Sequence, residues 1–152
     1  MTPRLNGSTI SRKRPTIAAR RSGGKGDPLA KKILIFETDA FYVEVVGTFV
    51  RLFLQHGFLA TRTADEALEA VQRERPDLVI LDIDVGFQEA TDFAEKMRDD
   101  AATKRIPIIA IAQDESRRDQ ALGAGCSAFL AKPFKVRDLE SLISRLLSDA
   151  EK

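Results

Sequence analysis

The chain has 152 residues, of which 43% are hydrophobic and 31% charged, and its net charge is +1. A chain of this length suggests one globular domain, which can bury a core without metal or disulfide support. The single cysteine, Cys126, excludes an intrachain disulfide and fits a reducing, cytoplasmic location. No apolar run is long enough to cross a bilayer, so we expect no membrane insertion.

The net charge hides an uneven distribution. Residues 1–32 contain nine basic residues and one acidic residue, so this segment carries +8 and the remainder −7. Residues 1–30 are rich in Arg, Lys, Gly, Ser, Thr and Pro and have little apolar surface, which predicts a disordered basic arm. Such an arm could contact nucleic acid, anionic lipid or an acidic partner. It could equally be a dispensable extension or the product of a start codon placed too early.

Strand and helix patterns alternate along the rest of the chain. Short apolar runs predict strands buried on both faces, with the second weaker and suited to a sheet edge. In chain order these strands are 32–36, 57–61, 77–83, 106–112 and 127–131. Helical periodicity follows each strand, at 40–56, 64–75, 89–98, 117–122 and 136–147. This order predicts an α/β fold with a doubly wound, five-stranded parallel sheet.

The first predicted helix has an unusually wide apolar face. At a constant helical period, its polar residues fall on one narrow stripe: Glu44, Thr48, Arg51 and Gln55. The apolar arc then spans roughly 220°, against about 100° or somewhat more for an ordinary surface helix. The pattern indicates a helix that is either unusually buried or docked against a partner.

Polar side chains follow three of the predicted strands. They are Glu37, Thr38 and Asp39 after the first strand, Asp82 and Asp84 at the end of the third, and Lys132 after the fifth. Ligands of an open parallel sheet bind beyond the carboxyl ends of its strands, so we expect these residues to meet. Carboxylates beside a lysine suit a divalent cation and a phosphoryl group, and a carboxylate can itself accept the phosphoryl group.

Each of these residues also has a purely structural interpretation. Asp82 could cap the end of its strand, and Thr38 or Asp39 would serve well as the N-cap of the following helix. Lys132 could be a solvated loop charge. The arrival of all these residues at one sheet edge favours the binding site over the separate structural roles.

Four segments together resemble the response-regulator receiver family of two-component systems. They are 32–37, 76–83, 106–110 and 123–134. The specific parts are the block from Pro76 to Ile83 and the Lys132-Pro133-Phe134 block. The resemblance covers nearly all of residues 31–150 and implies a flavodoxin-like fold with strand order 2-1-3-4-5.

The resemblance also implies roles for individual residues. Asp82 would be the phosphoacceptor, forming 4-aspartylphosphate, and Lys132 would contact a phosphoryl oxygen and precede a cis bond to Pro133. Mg²⁺ would be held by Glu37, Asp82 and the backbone carbonyl of Asp84, with Asp39 as a further candidate ligand. Phe129 stands at the aromatic switch position.

Three departures from the family pattern concern this same site. Thr38 stands where the family usually has a second acid, and a hydroxyl binds Mg²⁺ more weakly than a carboxylate. Ala112 stands where the family has the switch Ser or Thr. The Pro-Gly pair that usually follows the phosphoacceptor is missing after Asp84.

These features leave several functions open. The first is a stand-alone receiver in a phosphorelay, phosphorylated by a sensor histidine kinase or a histidine phosphotransfer protein and acting by contact with a downstream protein target. The second is a degenerate pseudo-receiver that acts as a phosphorylation-independent docking adaptor. Docking on the first helix would use Phe41, Val43, Val50 and Leu54. Helices at this position usually contact the kinase or phosphotransfer partner, so such docking suits both hypotheses.

Two further functions find little support in the residues. No aromatic or helix-turn-helix feature accompanies the basic arm, so nucleic acid is not expected as a partner. A flavodoxin-like or hydrolytic enzyme would need a phosphate-cradling glycine loop or a Ser/His pair, and the sequence contains neither. We therefore predict that the protein is not an enzyme.

Overall fold

The computed structural model describes residues 30–151. The arm predicted for residues 1–30 therefore lies, except for Ala30, outside the described residues. The strands are β1 (Lys32–Phe36), β2 (Gly57–Thr61), β3 (Leu78–Asp82), β4 (Ile108–Ala112) and β5 (Ala128–Ala131). The helices are α1 (Ala40–Thr48), α2 (Ala64–Glu74), α3 (Phe87–Asp99), α4 (Arg118–Gly123) and α5 (Val136–Ala150). A π-helical turn (Phe49–Phe53) extends α1, and short 3₁₀ turns precede α3 (Ile83–Val85) and α4 (Glu115–Arg117).

The five strands form one parallel sheet in the order β2-β1-β3-β4-β5. This confirms the doubly wound α/β fold and the strand order that the resemblance implied. Alternate residues of each strand face opposite sides of the sheet, so Leu34 and Phe36 join one buried cluster with α2, α3 and α4. Ile33 and Ile35 join the other cluster with α1 and α5. The apolar runs are continuous because both faces of the sheet are covered.

Apart from the first helix, two helix boundaries differ from the predicted ones by two residues or more. Helix α3 begins at Phe87, two residues before the predicted start at Glu89, and α5 continues to Ala150 beyond the predicted end at Leu147. Both extensions add a turn or less at a helix end, where the apolar periodicity used for the prediction gives little information.

The first helix departs most from its prediction. Regular α-helix ends at Thr48, and the amide of Leu54 then donates to the carbonyl of Phe49, five residues back. A π turn contains more residues than an α turn, so the helical period used for the prediction does not apply beyond Thr48. Within this turn, Leu52 and Phe53 are 67% and 74% exposed.

The predicted docking residues on this helix divide into two groups. Val50 is fully buried in the α1–α5 core cluster, so its prediction as a docking residue is wrong. Val43 and Leu54 are partly buried and pack against the same cluster, which limits what they can offer to a partner. Phe41 is 65% exposed and remains available. The wide apolar arc therefore reflects burial on one side of the helix and exposed aromatic side chains on the other.

Candidate functional site

Three charged side chains from different strands meet at the carboxyl edge of the sheet. The Nζ atom of Lys132 lies 3.1 Å from Oε1 of Glu37 and 3.2 Å from Oδ2 of Asp82. Glu37 is fully buried, Asp82 is 2% exposed and Lys132 is 8% exposed. Charged residues are seldom buried to this degree unless they are paired. The predicted meeting of these three residues is therefore present, and it forms a compact charged cluster.

The loop after β3 is folded around the Asp82 carboxylate. The amide of Asp84 donates to Oδ1 of Asp82 over 2.9 Å, which makes Asp82 the N-cap of the following 3₁₀ turn. The side chain of Asp84 is directed elsewhere, since its Oδ2 accepts a hydrogen bond of 2.8 Å from the amide of Gln113. This second bond connects the loop after β3 to the loop after β4. The capping role that sequence suggested for Asp82 thus coexists with its place in the cluster.

The two acidic residues after β1, Glu37 and Asp39, make different contacts. Oε2 of Glu37 accepts a hydrogen bond from the amide of Asp39, while Oε1 faces Lys132. The Asp39 side chain accepts from the amide of Phe41 and is the N-cap of α1. Asp39 therefore has the helix-capping role that its structural interpretation predicted. Thr38 and Asp39 are both exposed, and Glu37 alone of the three enters the cluster.

The charged cluster and the loops that hold it include two features that local sequence patterns do not predict. The ring of Tyr42 lies against the lysine, with Nζ 4.3 Å from its centroid, and Phe134 packs on Tyr42. Gln113 is the second, as the donor that holds Asp84. The helical periodicity places Tyr42 only on the apolar arc of the first helix. Its position in the first turn after the acidic segment is the sequence feature that indicates a place near the cluster. The Lys132–Pro133 bond is cis, as predicted.

The two switch positions are also part of the packed structure. Ala112 is fully buried at the end of β4, and its carbonyl accepts a hydrogen bond from the amide of Lys132. Its methyl group has no donor or acceptor to offer the cluster. Phe129 is 8% exposed and packs in the core cluster that contains α2, α3 and α4.

The electrostatics of the cluster follow from burial and from the nearby carboxylates. Burial, followed by the hydrogen bond with Glu37, raises the pKa of Asp82 from 3.8 to about 7. Burial acts to lower the pKa of Lys132, but the charges of Asp82 and Glu37 outweigh it and raise that pKa above its ordinary value of 10.5. The lysine therefore stays charged near neutral pH, while Asp82 retains a proton readily as long as no further cation is present.

The raised pKa of Asp82 predicts a pH dependence of stability for the metal-free protein. Its pKa is higher in the folded chain than the ordinary value of 3.8, so the folded state holds more protons between these two values. The stabilisation is complete below pH 3.8 and is lost as the pH rises through about 7. Urea unfolding in the presence of a chelator should show the free energy of unfolding falling between about pH 5 and pH 8.

The Asp82→Asn variant provides the comparison for this pH dependence. Its free energy of unfolding should vary less with pH over the same range, since asparagine does not titrate. Equal slopes in the two proteins would show that Asp82 has an ordinary pKa in the folded state.

Comparison with known proteins identifies the family to which this fold belongs. The family model for the response regulator receiver domain matches residues 33–144. The chain belongs to the response regulator receiver family. Receiver domains are signalling modules of two-component systems, which interact with histidine kinases or phosphotransfer proteins and with downstream targets, and they are generally not enzymes.

Two relatives illustrate the match. Over 97 residues the receiver is 32% identical to the polar-differentiation response regulator DivK of Brucella anthropi, covering 60% of this chain and 76% of DivK. Over 87 residues it is 34% identical to the response regulator Rre1 of Synechocystis, covering 56% of this chain and only 38% of the longer Rre1. The match to DivK shows that a related response regulator consists of little more than this one domain.

Solved structures show the same fold. The receiver domain of the sensor histidine kinase PA1611 from Pseudomonas aeruginosa superposes with a TM-score of 0.71 at 24% identity, covering 78% of this chain and 98% of that one. That structure is described with a magnesium ion coordinated in its active site cleft. No helix among residues 30–151 is both long and apolar enough to span a membrane.

Receiver domains typically bind Mg²⁺ in their active site, and the donor chemistry of the present cluster fits a divalent cation. Two buried carboxylates share one lysine, so two acidic groups face a single positive charge. A hard cation prefers such oxygen donors and would favour the ionised form of Asp82. Within residues 30–151, no group of three or more His, Cys, Asp or Glu side chains is arranged to hold a metal. Asp39, the further candidate ligand, instead caps α1.

Proposed function

We propose that this receiver accepts a phosphoryl group on Asp82 from a phosphohistidine of a sensor kinase or phosphotransfer protein and signals by contact with a downstream protein. The observation that carries the proposal is Lys132 Nζ at 3.1–3.2 Å from both Glu37 and Asp82. A buried lysine beside a carboxylate at the carboxyl edge of the sheet can neutralise the negative charge that a phosphoryl group brings.

The chemical step requires an ionised Asp82. An oxygen of its carboxylate attacks the phosphorus atom, the new O–P bond forms, and the P–N bond to the donor histidine breaks. The electron pair of the broken bond stays on the imidazole, which then takes up a proton. Lys132 is placed to contact a phosphoryl oxygen. Burial raises the pKa of Asp82 to about 7, so added positive charge in the site would increase the ionised fraction of this carboxylate at neutral pH.

Mg²⁺ would supply that charge. Glu37 and Asp82 would hold it through their carboxylates, and the backbone carbonyl of Asp84 would be the third protein ligand. Bound there, Mg²⁺ neutralises charge on the transferring phosphoryl group. Thr38 contributes no carboxylate, so we propose that Mg²⁺ binds more weakly here than at a site with an acid in that position.

The proposal is tested with a small phosphodonor such as acetyl phosphate. The protein is incubated with the donor and Mg²⁺, and intact mass is measured with an ordinary receiver as positive control. A gain of one phosphate supports the proposal. If the control receiver is labelled and this protein is not, the phosphoacceptor function is excluded.

A second candidate function, docking without phosphorylation, is favoured by the exposed aromatic side chains of the first helix. Phe41 is 65% exposed and Phe53 is 74% exposed. Phe49 stacks on Phe53 with ring centroids 5.7 Å apart. Beside them lies a shallow apolar groove of about 350 Å³, lined by Glu44, Val45, Thr48, Phe49, Phe53 and Val136. An apolar groove beside large exposed apolar side chains often marks an interaction surface.

Docking of a phosphohistidine-bearing protein on this surface predicts a selective effect of Phe53→Glu. Transfer from a phosphohistidine-bearing protein should slow by about tenfold or more, while phosphorylation by acetyl phosphate should be unchanged. Leu122→Glu, at an apolar residue of α4 that is 37% exposed, is the matched control and should change neither rate. Equal slowing with both donors would indicate damage to the fold, and no slowing with the protein donor would exclude this surface.

A further inference from the structure

The first turn of α1 places an aromatic ring against the charged cluster. Tyr42 lies with its ring centroid 4.3 Å from Nζ of Lys132, well within the distance at which an ammonium is attracted to the face of a ring. The attraction grows when the cation is withdrawn from water, and Lys132 is 8% exposed. The distance between the ring and the ammonium group is therefore short enough for their attraction to affect the position of the lysine.

The contact completes the surroundings of the ammonium group. An ammonium has three N–H donors and no acceptor. Two of its neighbours are the carboxylate oxygens of Glu37 and Asp82. The Tyr42 ring covers a further side, where water would otherwise compete for the remaining donor. The lysine is thus confined between two carboxylates and one ring.

The ring itself is held by two other aromatic side chains. Phe134, two residues after Lys132, lies 5.7 Å from Tyr42 between ring centroids. Phe41 packs edge-on at 5.3 Å with an interplanar angle of 84°. Aromatic pairs at such distances are attractive. They connect α1 to the loop after β5, which carries the lysine.

We propose that Tyr42 is a positioning residue for Lys132, holding the ammonium group against Glu37 and Asp82 through the face of its ring. Where the proposed phosphorylation of Asp82 occurs, this placement keeps the lysine in reach of the incoming phosphoryl oxygen. The effect on phosphorylation rests on the proposed function, whereas the contact between Tyr42 and Lys132 can be tested without it.

The contact is tested first by a double-mutant cycle on unfolding. Tyr42→Leu keeps an apolar side chain but removes the ring face, and it is measured alone and together with Lys132→Met. The loss in the folding equilibrium constant caused by Tyr42→Leu should be about three- to tenfold larger when Lys132 is present. If Lys132→Met does not fold, the cycle is run in the Asp82→Asn background, where one buried carboxylate has been removed. Equal losses with and without Lys132 would overturn the proposal.

A spectroscopic signal gives an independent reading. Tyr42 is the only tyrosine of the chain and there is no tryptophan, so the tyrosine band in near-ultraviolet circular dichroism reports on this residue alone. Lys132→Met should change that band, while Lys135→Met, at an exposed lysine three residues further on, should not. An unchanged band in folded Lys132→Met would contradict the contact.

The functional consequence is measured with acetyl phosphate and Mg²⁺. Tyr42→Leu should be phosphorylated about three- to tenfold more slowly, and Tyr42→Phe, which keeps the ring, should stay close to the wild-type rate. If the phenylalanine variant is as slow as the leucine variant, the face of the ring is not what positions Lys132. If the wild type itself gains no phosphate, the proposed function fails, and the cycle and the circular dichroism still decide the role of Tyr42.

Discussion

The Asp82→Asn variant is expected to gain no phosphate from acetyl phosphate under conditions in which the wild-type chain gains one. An asparagine amide lacks the anionic oxygen that attacks phosphorus, and loss of a nucleophile typically lowers a rate by roughly 10³-fold or more. The substitution removes one of two neighbouring buried carboxylates, so it should leave the chain folded. Intact mass over a time course is the measurement.

A matched control shows whether the labelled position is Asp82. Asp65→Asn changes an exposed aspartate in the first turn of α2. This helix contributes no side chain to the charged cluster of Glu37, Asp82 and Lys132. It should gain one phosphate at the wild-type rate. Full labelling of the Asp82→Asn variant would mean that another residue accepts the phosphoryl group.

Replacing Lys132 with methionine is expected to cost the largest amount of stability. The change leaves Glu37 and Asp82, 0% and 2% exposed, without their shared cation. Removing one partner of a buried ion pair typically costs about 3–5 kcal/mol of unfolding free energy. The loss should be greatest above about pH 7, where Asp82 is ionised, and smaller in acid, where Asp82 is protonated and needs no cation. Chemical unfolding with a chelator present, at two pH values, measures both effects.

Two further variants show whether the loss of stability comes from the buried ion pairs of Lys132. Lys135→Met, at an exposed site, should change the free energy of unfolding by no more than about 0.5 kcal/mol. Adding Asp82→Asn to Lys132→Met should recover part of the lost stability, because only one carboxylate then lacks a partner. A loss below about 1 kcal/mol for Lys132→Met at pH 8 would show that the cluster does not depend on its lysine.

Much of the fold could be predicted from local patterns. The strand runs containing Ile33, Val79 and Ile109 are continuously apolar because helices cover both faces of the sheet. The glycines and Pro76 mark where the segments between them end. The first helix was the exception, since its helical wheel assumed one constant period. Val46 and Val50 keep the α-helical spacing and are buried, whereas Phe53, within the π turn that follows Thr48, is exposed.

The composition of the site could be predicted where its residues lie at the ends of strands. Glu37, Asp82 and Lys132 each follow a strand, and the carboxyl ends of parallel strands meet at one edge. The sequence could not show how the side chains divide their contacts there. Asp39 was a candidate ligand and is a helix cap, whereas Asp84 uses its carboxylate to hold the amide of Gln113. These choices depend on loop geometry that has no periodic signal.

Hydrophobic periodicity in the sequence predicted the alternating strands and helices, and the placement of Glu37, Asp82 and Lys132 at strand ends predicted their meeting. The receiver family and the sheet order followed from the resemblance of short motifs to that family. Only the tertiary structure decided that Lys132 is shared by two buried carboxylates and covered by Tyr42. Tyr42 and Lys132 lie 90 residues apart in the sequence. Their contact exists because helix α1 and the loop after β5 pack at the same edge of the sheet, and that packing is a property of the folded chain as a whole.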